Sequence, residues 1–153
     1  MQVMKQFSIF MVNKPGVLAQ VLSELAKNSI NIVAMTLMDS AEHGVLRVVL
    51  NKPDLVHEIL TKLNLTFNET NVLCVNLANK AGALASVVEK LAKHHVNITY
   101  AYVTAGARGG RTTGVLKVSD IKKASKLLEA HLKQKMKAEP MSIARRSKGS
   151  KKK

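Results

Sequence analysis

The chain carries the same stretch twice, and any fold it adopts must accommodate both copies. Asn13-Lys14-Pro15-Gly16-Val17-Leu18 runs on through Leu25-Ala26-Lys27-Asn28 to Ile30-Asn31-Ile32. Moving 66 positions along, from Asn13 to Asn79, gives Asn79-Lys80-Ala81-Gly82-Ala83-Leu84, then Leu91-Ala92-Lys93-His94 and Val96-Asn97-Ile98. A unit of this length exceeds a solenoid repeat and is about half a usual domain, so it predicts two small modules, 1–70 and 71–137, with 138–153 left over. With 153 residues and 46% hydrophobic content, the pair can bury a sizeable common core, whereas one half alone would be marginal.

Each copy alternates strand and helix signals. Gln6 to Val12 is nearly all apolar, as a strand covered on both faces would be. Pro15 then suits a first helical position, where its missing N–H costs nothing. Leu18, Val21, Leu22, Leu25 and Ala26 follow at helical spacing, and Asn28-Ser29 ends the helix. Ile30–Leu37 and Val45–Leu50 read as a strand hairpin, rich in β-branched residues. Pro53-Asp54 opens a second helix with the face Leu55, Val56, Ile59, Leu60 and Leu63, and a polar strand at 66–70 closes the module.

The second copy has its opening strand at 72–77, a helix face of Leu84, Val87, Val88, Leu91 and Ala92, hairpin strands at 98–104 and 114–118, and a last helix capped by Ser119-Asp120. The offset widens to 70 between Gly44 and Gly114 and returns to 66 between Asp54 and Asp120, so length differences fall in loops. The fold class is therefore α+β: two ferredoxin-like βαββαβ modules, antiparallel sheets with helices on one face. The other faces need cover, which predicts that the two sheets join and that two chains pair as a homodimer.

These residues resemble the ACT domain, the small regulatory module that binds amino acids in enzymes of amino-acid metabolism. The marks are the loop Asn13-x-Pro15-Gly16-Val17-Leu18, the helix of Leu18, Val21, Leu22 and Leu25, and the Ile30-Asn31-Ile32 entry to the second strand, and they recur in copy two. From about Lys5 to Leu132 the chain looks like a free-standing tandem ACT protein. The resemblance implies a non-catalytic, allosteric sensor that binds a small amino acid at the junction of modules and passes that state to a regulated enzyme partner. It places ligand contacts on Asn13 and Asn31 in copy one and on Asn79 and Asn97 in copy two, with Lys14, Pro15, Gly16, Val17, Leu18, Gly82, Ala83 and Leu84 around them.

Elementary chemistry supports that placement. Such a loop delivers backbone N–H groups at a helix N-terminus, where the dipole favours a carboxylate. An asparagine amide can meet either end of an amino acid, and glycine lets a ligand approach the backbone. The plainer roles are a helix cap or turn for the asparagines and close helix–sheet packing for the glycines. Copy two departs by Ala81 in place of proline and by the smaller Ala83. Met11 and Leu77, two residues before the asparagines, are apolar where some family members carry a polar group.

Other function classes have less behind them. Of the formal charge of +14, a net +8 lies in 133–153, which carries nine lysines and arginines against Glu139. Within the basic tail 138–153, Arg145 to Lys153 is too polar and charged to fold by itself, and it makes a nucleic-acid-associated or scaffold protein without amino-acid ligand the alternative reading. Base-stacking aromatics are absent from 44–50, and aromatics are 3% of the chain. Gly106-Ala107-Arg108-Gly109-Gly110-Arg111 joins two strands, as a hairpin tip does, rather than opening a helix as a phosphate loop would.

His94-His95 diverge and lack further ligands, and His57 and Glu58 read as solvated, so no metal, cofactor or catalytic residue is expected. Cys74 reads as a buried, inert thiol. No apolar run approaches the roughly 18 residues of a membrane span, and no cleavable leader pattern is visible, so a cytoplasmic protein is expected.

Overall fold

The computed structural model describes residues 1–39, 43–104 and 110–138. Ten elements follow one another: β1 (Gln2–Val12), α1 (Val17–Lys27), β2 (Ile32–Asp39), β3 (His43–Leu50), α2 (Pro53–Lys62), β4 (Thr66–Ala78), α3 (Ala83–Lys93), β5 (Ile98–Val103), β6 (Arg111–Val118) and α4 (Ile121–Ala138). The expected α+β architecture is present. All six strands join in one antiparallel sheet, in the order β2-β3-β1-β4-β6-β5.

The joint between the copies departs from the expected succession of separate strands. Thr66–Thr70 and Val72–Leu77 are two parts of the continuous strand β4, which pairs with β1 from Phe10↔Thr66 to Gln2↔Cys74. β1 itself begins at Gln2, four residues before the apolar run at Gln6. Its first residues lie beside Val72–Cys74, where they supply the second module with its fourth strand, while Gln6–Val12 pair with β3 in the first. The arrangement follows the duplication, since a shift of 66 carries the pair Met4↔Val72 onto Thr70↔Gln6, so a pseudo-twofold axis passes between β1 and β4 near Lys5↔Asn71.

The side-chain period of two sorts the strands into two faces. One face carries the helices over two cores: Phe7, Ile9, Leu46, Val48 and Leu50 under α1 and α2, and Leu73, Val75, Leu91, Leu116 and Leu128 with α3 and α4. The face without helices is closed only at its middle, by Ala34, Val49, Val72, Cys74 and Val115 with Met4, Val33 and Tyr102 packed against them. β1 is thus not covered on both faces along its length: Phe10 is 39% exposed, and the buried residue on that side is polar Gln6.

The helix ends correct two local expectations. Pro15 sits in the turn before α1, whose cap is Gly16. The left-handed residue that leaves α1 is Ser29 (φ 53°), and Asn28 instead donates from its side-chain amide to the Glu24 carbonyl at 2.9 Å. At α4, Asp120 caps as expected, accepting the Lys123 N–H at 2.9 Å. The stretch beyond Ala138 and the loop 105–109 lie outside the described residues.

Candidate functional site

The two repeated loops build equivalent cavities. The first, about 280 Å³, lies between the end of β1, the start of α1 and the β2–β3 hairpin, and is lined by Met11, Val12, Asn13, Lys14, Val17, Leu18, Leu37, Met38 and Gly44. The second, about 360 Å³, is lined by Leu77, Ala78, Asn79, Lys80, Ala83, Leu84, Val103, Thr104 and Thr112. Eight of the nine positions correspond at the offset of 66, from Met11/Leu77 to Met38/Thr104. The exchanges Val17/Ala83 and Met38/Thr104 replace larger side chains by smaller ones, in keeping with the larger second cavity.

Gly16 and Gly82 set the entry angle of each helix. Their φ values of 92° and 78° lie in the left-handed region, and a Cβ built at either would meet nothing within 4 Å. Backbone conformation, not crowding, is thus what glycine supplies there. Lys14 N–H turns back to the Val12 carbonyl at 2.9 Å, and Lys80 N–H to the Ala78 carbonyl at 2.8 Å, so both loops share one tight turn despite Ala81 replacing proline. Neither α1 nor α3 has a side-chain cap; the Val17 N–H reaches the Lys14 carbonyl at 3.4 Å and the Ala83 N–H the Lys80 carbonyl at 3.3 Å, and both helix starts border the cavities with the partial positive charge of the dipole.

Of the residues read from the sequence, Asn13, Lys14, Val17, Leu18, Asn79, Ala83 and Leu84 line the cavities. Pro15, Gly16 and Gly82 shape the loops without lining them. Asn31 and Asn97 sit beyond the far ends of α1 and α3. There the Asn31 N–H donates to Asn51 Oδ1 at 2.8 Å, and the Asn97 N–H donates to Ser119 Oγ at 3.1 Å. Each module therefore separates its two asparagines by the length of a helix.

The hairpin side of the cavities was missed. Leu37, Met38 and Gly44, with Val103, Thr104 and Thr112, come from β2–β3 and β5–β6. The Gly44/Gly114 match was the available signal, since a Cβ on Gly114 would sit 3.4 Å from the cavity residue Leu77. In copy two this wall is pinned: Thr104 N–H donates to the Thr113 carbonyl at 2.9 Å, and Thr113 N–H to Thr104 Oγ1 at 3.1 Å.

His57, which reads as solvated, is exposed, and it bonds Glu69 Oε1 through Nδ1 at 2.6 Å on the helix face of the sheet. Among the described residues no three metal-ligating side chains come together, and no helix is long and apolar enough to cross a membrane.

Residues 1–139 match the family described as an ACT domain pair. The chain belongs to that family. Among solved structures, protein BT0572 from Bacteroides thetaiotaomicron is 33% identical, with 84% of this chain and 88% of that chain covered and a TM-score of 0.78. The regulatory subunit of aspartate kinase from Thermus thermophilus, in its ligand-free form, is 13% identical over 85% of this ACT pair and 97% of that chain, with a TM-score of 0.62. The aspartokinase alpha and beta subunits give 16%, 87%, 98% and 0.58 for the same quantities. These last two likenesses show the fold. No curated protein sequence matches the ACT pair.

Proposed function

We propose that this ACT pair is a non-catalytic cytoplasmic sensor that binds a small amino acid in the loop cavities and relays its presence to a partner enzyme. The observation that carries the reading is the construction of the same cavity twice from corresponding residues at an uncapped helix start. The ligand carboxylate belongs at the first-turn amides, with the Lys14 or Lys80 ammonium nearby. The Asn13 or Asn79 amide meets the remaining polar end, and the six apolar side chains of the first cavity suit an aliphatic side chain. The regulatory subunits that share the fold support the relay.

The sensor works as a homodimer. β2 is an edge strand of the sheet, yet Ile32, Met35, Leu37 and Met38 on it are between 37% and 50% exposed, and it carries neither lysine nor proline. Sheet edges in soluble proteins are ordinarily blunted by charge or covered by a partner. A second copy paired along β2 covers these side chains and closes the first cavity at Leu37 and Met38, which couples ligand to interface.

Thermal unfolding against the twenty amino acids at millimolar concentration tests the sensor, because a ligand specific to the folded state raises stability by RT ln(1 + [L]/Kd). A selective upward shift is expected for one of them. In Asn13→Ala the affinity should fall by about 1.5–3 kcal/mol, tenfold or more, as for loss of a hydrogen bond to a charged group. No shift with any amino acid would instead favour a scaffold without such a ligand.

A further inference from the structure

The helix-free face of the sheet has an electrostatic character that the loop cavities do not explain. Register places Arg47, Lys117 and Arg111 on it, together with Gln6, Ser8, Thr70, Tyr100 and Tyr102, and no aspartate or glutamate among the described residues. Its polar groups converge at the centre. The Gln6 side chain, fully buried, donates from Nε2 to Tyr100 Oη at 2.7 Å and to Ser8 Oγ at 3.3 Å, and accepts from Tyr102 Oη at 3.1 Å. These bonds draw both tyrosines inward over the sheet.

The Arg47 guanidinium then lies over the Tyr100 ring, 4.5 Å from its centroid. Lys117, the register partner of Tyr100, donates from Nζ to Thr70 Oγ1 at 3.1 Å. Arg47 thus covers the Tyr100 ring while Lys117 neighbours Tyr100 across the β5–β6 pair, and the salt bridges among the described residues involve neither cation. Among the described residues, Arg47 Nη1 meets the neutral sulfur of Met38, and its Nε is buried with no hydrogen-bond partner. A buried donor left unsatisfied is costly, and a charged one more so.

We infer that this cluster is a binding site for a phosphate group, held between the Arg47 fork and the Lys117 ammonium. Two positive charges match a phosphate dianion and exceed what one carboxylate neutralises, and the planar guanidinium suits a multi-oxygen anion. Because Tyr100 Oη accepts from Gln6, its own proton is available to a phosphate oxygen. The absence of acidic side chains gives an amino acid's ammonium no partner here, which separates this site from the loop cavities. It equally disfavours a second copy on this face, since that would set cations against cations.

The test is titration of the full chain with sodium phosphate, at ionic strength held constant with chloride, followed through backbone amide chemical shifts. Saturable shifts are expected at Ser8, Arg47, Thr70, Tyr100 and Lys117. Arg47→Met and Lys117→Met should each raise Kd at least tenfold, and Arg47→Lys should keep part of the affinity, which distinguishes a lost anion contact from a disturbed fold. In Lys117→Met the response to amino acids should be unchanged, so failure here and failure of the sensor reading are told apart. Shifts that match those in chloride alone, or phosphate binding that survives both methionine variants, would overturn the site. Parallel titrations with a nucleoside monophosphate and a short single-stranded oligonucleotide identify the source: whichever of the three binds tightest through the same residues carries the natural phosphate.

Discussion

Glu69 shows what an isolated side chain does in this sheet. It sits on the helix face of β4, opposite Phe7, and receives Lys5 Nζ at 2.7 Å on one oxygen and His57 Nδ1 at 2.6 Å on the other. The hydrogen bond from Lys5, followed by that from His57, holds its carboxyl below the ordinary 4.5. The unfolded chain therefore binds this proton more readily than the folded one. Its stabilisation is complete above the unfolded value and is lost as pH falls through the lower folded value.

Glu69→Gln is accordingly expected to be slightly less stable than the parent near neutral pH, and to lose less stability on acidification to roughly pH 3. Urea midpoints at both pH values measure the difference, which is modest because His57 is 58% exposed. Equal losses in both proteins would show that the carboxylate is not coupled to folding. The same residue marks a limit of sequence reading: the 12 positions between His57 and Glu69 carry no periodic sign that an exposed helix position and a strand position will meet. Cys74 was the opposite case. Its apolar neighbours announced a buried thiol, and burial pushes its pKa up to about 11.

At the scale of elements, the apolar periodicity located every helix and hairpin because those signals are local. Leu18, Leu22 and Leu25 mark α1 whatever surrounds them, and the glycines at φ 92° and 78° fix each loop from within. The candidate site was legible to the same extent: its loop half lies in contiguous residues, and its hairpin half, Leu37, Met38 and Gly44, depends on how β2 and β3 return past the loop. The edge character of β2 was likewise out of reach, since strand order is a property of the whole sheet. It carries its own prediction. Met35 is 42% exposed on β2 and does not line the cavity, so Met35→Lys should leave the protomer folded and place a charge where two copies meet. Sedimentation should show a dimer for the parent and a monomer for the variant, with weaker amino-acid binding in parallel. A parent that stays monomeric at high concentration would exclude the dimer, and a dimeric Met35→Lys would move the interface away from β2.

For the molecule as a whole, the shared strands matter more than the repeat. A boundary between residues 70 and 71 falls inside β4, and the second module takes its fourth strand from Gln2–Met4 at the other end of the chain. Met1 packs against the second core as well. Neither half can then keep its sheet when the other unfolds, and we expect one cooperative transition rather than two. The chain offers a convenient reporter: it has no tryptophan, and its two tyrosines, Tyr100 and Tyr102, both lie in the second module. Leu60, fully buried, belongs to the first core. Leu60→Ala should cost about 2–5 kcal/mol, as deletion of a buried leucine side chain does. If the modules fold as one, the urea midpoint read by tyrosine fluorescence in the second module will fall together with the midpoint read by far-ultraviolet circular dichroism. If they fold independently, the dichroism will split into two steps, the later one at the parent's midpoint, and the tyrosine signal will change in both steps because Gln6 and Arg47 of the first module touch the two rings. In the first outcome β1 and β4 transmit stability between the two cavities, which is the physical coupling a two-site sensor requires.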